Sequence, residues 1–202
     1  MKAQKREKIF QIATKLFAER GFQNTTTRDI SKAAGMSDAG VYYYFDSKEL
    51  LLYQILDETL VKGLDLIKEI DQSDKSPGEK LAAITRLYTE YYALDINRVK
   101  LLVEEQKCLS SEHRKKLNMK QREYLDILVK ILEALKDQGE MVDLDSSVCA
   151  FAFFGMVHWV YRWFNPSGRI KRTQLAEIFN RIFTDGISGP HGQPVEERNN
   201  HD

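Results

Sequence analysis

The chain has 202 residues, 43% hydrophobic and 30% charged, with 30 basic and 30 acidic side chains and a formal net charge of zero. This is long enough to bury a core without metal or disulfide staples, ordinary enough to exclude a disordered chain, and too neutral for a uniformly basic nucleic-acid coat. The charge is nonetheless uneven: residues 1–50 hold nine basic and six acidic side chains, a surplus of +3 that the remainder balances with −3. That asymmetry points to an N-terminal module facing an anion and a second module with another task.

Residues 4–20 open the chain with Ile9, Ile12, Ala13, Leu16 and Phe17 at the three-and-four spacing of one helix face. Gly21 follows, suited to a left-handed helix end. The run Thr25-Thr26-Thr27 offers an N-cap to a short helix over about 27–34, with Ile30 and Ala33 facing the first helix. Gly35 ends it. Ser37 then caps a third helix running to about Phe45, with Asp38 in its first turn, where the helix dipole favours an acid. Asp46-Ser47 caps a long helix beginning at Lys48.

The stretch 71–78, with Ser, Asp, Pro and Gly, reads as a loop. Helices are predicted beyond it up to Leu94, over about 96–108, over about 111–137 and over about 144–164. The turn Asn165-Pro166-Ser167-Gly168 precedes a last helix over about 173–187. The fold class is all-α, about nine helices, with no sustained strand alternation. The tail has one aliphatic residue, Val195, and is expected to be disordered. The domain division is thus 1–47, 48–188 and a tail at 189–202.

Several classes of function drop out. Cys108 and Cys149 lie 41 positions apart with no metal-ligand spacing, as expected of reduced thiols, and no metal or cofactor is expected. The first ten residues lack an apolar signal core, so a cytoplasmic protein is expected. The longest apolar stretch, 148–161, has 14 residues, short of the roughly 20 a spanning helix needs, so no membrane partner is expected. None of the common hydrolase, metalloprotease or nucleotide fingerprints is present, and the four histidines have no partners at telling spacing, so an enzyme is not expected.

Two short helices joined by Gly35-Met36-Ser37 describe a helix-turn-helix, whose second helix enters the major groove with its N-terminal residues at base edges. The stretch TTTRDISKAAGMSDAGVYYYFDSKELL, residues 25–51, resembles the TetR family of transcriptional repressors. The resemblance implies a homodimer whose N-terminal modules read a palindromic double-stranded operator, while the C-terminal helices bind a small-molecule effector and dimerise. By position, it makes Tyr42, Tyr44 and Lys48 phosphate contacts, puts Thr27 and Arg28 at backbone or base edges, and lays Ser37, Asp38, Gly40 and Tyr43 on the recognition surface. Asp38 departs from the usual pattern: it either satisfies the helix dipole or accepts from a cytosine amino group.

The stretch 153–187, FFGMVHWVYRWFNPSGRIKRTQLAEIFNRIFTDGI, is similar to the C-terminal part of the branch that responds to acyl-CoA thioesters, with His158 in place of an Asn. The resemblance implies that an acyl-CoA lowers operator affinity and releases degradation genes, those of fatty acid metabolism among them. The expected acyl slot is Phe151, Phe154, Trp159 and Trp163, with Arg162 and Arg169 near the phosphates. His158 is either a buried core residue or a ligand contact, and the aromatic helices either enclose a pocket or form a plain core. Ala152 and Gly155 with the stripe Leu175, Ile178, Phe179, Ile182 and Phe183 suit a four-helix interface between two copies. The alternative effector is a lipophilic drug or other small hydrophobic molecule, as in multidrug efflux control.

Overall fold

The computed structural model describes residues 2–188; the expected disordered tail, 189–202, lies outside them. The described residues form nine α-helices and two 3₁₀ turns, with no strand among them. The first three helices, α1 (Lys2–Arg20), α2 (Thr27–Ala34) and α3 (Asp38–Tyr42), make the N-terminal module. Thr26 accepts from the Asp29 backbone N–H while the Asp29 carboxylate accepts from the Thr26 backbone, a reciprocal capping box. Gly35 sits at φ 68°, a conformation that a β-carbon strains, and this turns α2 toward α3.

Two local expectations are corrected. The face α2 buries is Ile30, Ser31 and Ala34, and Ala33 is exposed. Helix α3 stops at Tyr42 rather than near Phe45, because Tyr44 N–H bonds to the Val41 carbonyl at 2.9 Å and tightens the last turn. Phe45 is still buried, its ring 5.2 Å from that of Phe10 in α1.

Ser47 caps α4 (Lys48–Asp71), which packs on α1 and then runs into the body of the protein. There it meets α5 (Pro77–Leu94) and α7 (Ser111–Asp137), and α6 (Ile96–Glu104) returns to α1. The expected helix 96–108 ends at Glu104 and gives way to a 3₁₀ turn, Gln106–Cys108. This frees the Glu105 carboxylate to accept from the Phe22 backbone N–H at 3.3 Å. The expected helix 144–164 divides into α8 (Ser146–His158) and a 3₁₀ turn, Trp159–Arg162. Asn165, which precedes Pro166, is disfavoured in helical geometry, and the chain leaves the helix at Trp163, φ −133°. Finally α9 (Arg172–Ile187) packs mainly on α5.

Candidate nucleic-acid interface and effector cavity

The N-terminal module gathers the predicted DNA residues on one face. Arg28, Ser37, Asp38, Tyr42 and Tyr43 are exposed, and Thr27, Gly40, Tyr44 and Lys48 are half-buried. A cleft between α2 and α3 opens among Arg28, Lys32, Ser37 and Asp38. The Tyr42 hydroxyl lies 3.4 Å from the Thr27 hydroxyl, which ties the end of α3 to the start of α2. Tyr43 and Tyr44 meet edge to face, ring centres 5.2 Å apart. Ser37 Oγ accepts from Gly40 N–H at 3.1 Å. A β-carbon at Gly40 would stand 3.2 Å from that oxygen, so glycine suits the tight first turn.

Two residues have structural work alongside any DNA contact. The Asp38 carboxylate accepts a hydrogen bond from Ser31, a buried hydroxyl of α2. The Lys48 ammonium donates to the carbonyls of Phe22 and Thr25, both at 2.8 Å, and lies 4.2 Å from the centre of the Phe22 ring. Its third proton remains for an anion.

The C-terminal helices enclose a cavity of about 340 Å³ between α4, α5, α7 and α8. Its inner end is Leu60, Tyr88, Tyr124 and His158; its apolar middle is Leu125 and Phe154; its rim is the exposed Phe151, Asn118 and Arg122 with Gln121. No carboxylate lines it among the described residues. Asn118 and Arg122 also line an adjoining groove along α7 with Arg114, Lys115 and Met119. The cavity therefore grades from hydroxyls, through aromatics, to cations.

Gly63 permits this arrangement. Its missing side chain leaves the space that the Tyr124 hydroxyl fills, and Tyr124 donates to the Leu60 carbonyl at 2.7 Å. Burial raises the Tyr88, Tyr91 and Tyr124 hydroxyls above the usual phenol range, so all three stay protonated. Burial pushes His158 down to about 4, so its imidazole is neutral at pH 7. Its Nε2 lies 2.9 Å from the Tyr88 hydroxyl.

Of the predicted ligand residues, Phe151, Phe154 and His158 meet in this cavity. Trp159, Arg162, Trp163 and Arg169 stand outside its lining. Arg162 pairs with Glu104 at 3.4 Å and lies 5.2 Å from the Trp159 ring. The lining residues that sequence reasoning did not assign come from α4, α5 and α7. Tyr88 and Tyr124 stand on aromatic-rich helices, but nothing in their spacing separates a wall residue from a core residue.

The predicted dimer stripe divides between two faces. Leu175, Phe179 and Phe183 are buried within the subunit, whereas Ile178 and Ile182 are exposed on α9. On α8, Val148, Phe151, Ala152 and Gly155 are exposed, as is Trp159 just beyond it. A β-carbon at Gly155 would meet nothing.

Comparisons with known proteins match this architecture. The model described as "Bacterial regulatory proteins, tetR family" matches residues 9–55, and that described as "Tetracyclin repressor-like, C-terminal domain" matches residues 74–187. The chain is 32% identical to the HTH-type transcriptional repressor KstR2 of Rhodococcus jostii over 195 residues, 94% of each chain. It is 28% identical to the fatty acid metabolism regulator protein of Bacillus subtilis, covering 94% of this chain and 99% of the relative. The solved structure of AibR in complex with isovaleryl coenzyme A and operator DNA is similar, with a TM-score of 0.79, 28% identity, and 88% and 97% of the two chains covered. With its helix-turn-helix module and helical C-terminal domain, the chain belongs to the TetR family and is a TetR-type transcriptional repressor, a class that binds operator DNA and a small-molecule effector.

Proposed function

We propose that this repressor is a homodimer released from a palindromic operator by an acyl-CoA thioester, and that it controls acyl-CoA degradation genes, those for fatty acids among them. The observation that carries the reading is the polarity of the cavity. Its aromatic middle suits an acyl group, and its mouth at Arg122 continues onto Arg114 and Lys115 of α7. A thioester of that shape has an apolar end and several phosphates, and arginine forks match phosphate oxygens. Pockets for cationic drugs usually place an acid near the cation, and the described lining has none. The relatives' names and the coenzyme A complex of AibR support the same class.

Dimerisation uses the exposed apolar face of α8 and α9. Phe151 and Trp159, 62% and 55% exposed, and Ile182, 56% exposed, are large apolar side chains that the lone subunit leaves to water, as an interface would use them. Phe151 also lines the cavity, so effector and dimer contacts share a side chain.

The test is a thermal-shift titration with medium- and long-chain acyl-CoAs, free CoA, free fatty acids and a cationic dye. A ligand at 100 times its Kd adds about 2.7 kcal/mol to stability. Stabilisation by acyl-CoA but by neither half alone, together with loss of operator binding, is the expected result. Stabilisation by the dye alone would overturn it.

A further inference from the structure

A second cleft, of about 370 Å³, lies between the N-terminal module and the body of the protein. Glu7 and Gln11 of α1 form one wall, Thr59 and Lys62 of α4 another, and the end of α5 with the start of α6 the third. It shares no lining residue with the effector cavity.

Arg98, on the α6 wall, has more donors than partners. Its side chain is only 14% exposed, yet its one ion pair among the described residues is with Asp95, three positions back, at 3.2 Å. Its guanidinium makes no hydrogen bond to any described residue. A guanidinium carries five N–H donors, and a buried charge is ordinarily both paired and hydrogen-bonded. The donors that Asp95 leaves over are met by whatever fills the cleft. Lys62, exposed on the α4 wall, likewise has no hydrogen bond or ion pair among the described residues. Two unengaged cations call for an anion, and a carboxylate meets an arginine fork with two parallel bonds.

The lining also carries acids. Asp95 is held by Arg98, whereas Glu7, exposed on α1, accepts from the Gln11 amide at 3.2 Å and keeps further lone pairs for a cation. Two acids and two bases sum to zero, so a ligand that carries both signs is better matched than a bare anion. Leu94, 60% exposed, adds apolar surface to the same lining.

We propose that this cleft is a second ligand site, independent of the acyl-CoA cavity, for a free α-amino acid with an apolar side chain. Its carboxylate meets Arg98 and Lys62, its ammonium meets Glu7, and its side chain lies against Leu94 and the Tyr91 ring. A ligand so placed touches α1 and α6 at once and holds the DNA-reading module against the body.

The experiment is calorimetric titration of the full chain, without acyl-CoA, with L-leucine and L-phenylalanine beside leucinamide, 4-methylpentanoate and inorganic phosphate. At least one of the two amino acids is expected to bind tenfold or more tightly than each of the other three compounds. Arg98→Gln should weaken that binding tenfold or more. Glu7→Gln and Lys62→Gln, both at exposed positions, should each weaken it at least threefold and serve should Arg98→Gln fail to fold. Arg122→Gln, on the rim of the acyl-CoA cavity, should leave it within twofold of wild type. Binding of neither amino acid, equal binding of 4-methylpentanoate or phosphate, affinity that survives the substitutions at Arg98, Glu7 and Lys62, or affinity lost with Arg122→Gln would each overturn the inference and leave the acyl-CoA reading standing.

Discussion

The ammonium of Lys48 donates to the Thr25 carbonyl at 2.8 Å and, in the same position, to that of Phe22, so the first residue of α4 fastens the turn that leads into α2. A residue read from sequence as a phosphate contact is therefore also a brace. Lys48→Ala removes two charge-assisted hydrogen bonds from a half-buried site, a loss of about 2 kcal/mol. Urea unfolding should register that loss alongside weaker operator binding. Stability within about 0.5 kcal/mol of wild type would mean the brace is idle.

Tyr42 is the cleaner probe of the DNA face. Half its surface is exposed, and among the described residues its side-chain hydrogen bond is the 3.4 Å approach to Thr27. Tyr42→Ala should leave stability within about 0.5 kcal/mol and weaken operator binding about tenfold, or 1.4 kcal/mol. A phenol is uncharged, so its loss should not change how affinity depends on salt. Arg28→Ala, by contrast, should reduce the salt slope by about one. Fluorescence anisotropy across a salt series reads both, and equal slopes for the two variants would count against these roles.

The local structure of this module was legible because each piece is chain-local: Thr26, Gly35, Ser37 and Ser47 cap or turn through bonds to residues one to four positions away. What stayed hidden joins distant segments. Asp38 reads as a dipole partner first and a base contact second until Ser31, on the neighbouring helix, is seen to donate to it. The effector cavity is harder still. Phe151, Phe154 and His158 share a helix and were legible together, but Tyr88, Tyr124 and Arg122 reach the same space from α5 and α7. The Trp159 to Arg162 segment misled because helical period continued where the backbone tightened to 3₁₀, which turns Trp159 outward and brings Arg162 to Glu104.

Gly63 is a position where one methyl group should be felt at the cavity. A β-carbon there would collide with the Tyr124 hydroxyl and crowd the Tyr91 ring. Gly63→Ala gains helix propensity on α4 but overpacks, with a net loss of about 1–3 kcal/mol. It should also displace Tyr124 from the Leu60 carbonyl and weaken effector binding. Thermal unfolding and effector titration check the two halves; a variant more stable than wild type with unchanged effector affinity would contradict the prediction.

Tyr92 makes the opposite prediction. Its hydroxyl is buried beside those of Tyr88 and Tyr124, and among the described residues it makes no hydrogen bond of good geometry, so Tyr92→Phe deletes a group that has lost water and gained little in return. The ring contacts with Tyr88 and Tyr91 persist. In the absence of effector the variant should be more stable by about 1 kcal/mol, an increase visible in the urea midpoint. A less stable variant would show that the hydroxyl has a partner in solution.

His158 should set the acid limb of the stability profile. Its pKa falls from the usual 6.5 to about 4 because burial against Tyr88, Tyr92 and Phe154 disfavours the imidazolium. Between those values the unfolded chain binds a proton that the native chain does not, so stability rises with pH there. The contribution is whole above about pH 6.5 and disappears as pH falls to about 4, a change of about 3 kcal/mol at most. The carboxylates of Asp29, Glu49 and Glu79, held below their ordinary range by hydrogen bonds, also lose stabilisation on acidification, but at lower pH. The interval from pH 5 to 6.5 therefore belongs to the histidine. Urea unfolding across it should slope in the wild type and lie nearly flat in His158→Gln, which keeps a polar partner for Tyr88 and cannot titrate. A flat wild-type profile would mean that the native imidazole takes up its proton as readily as the unfolded one.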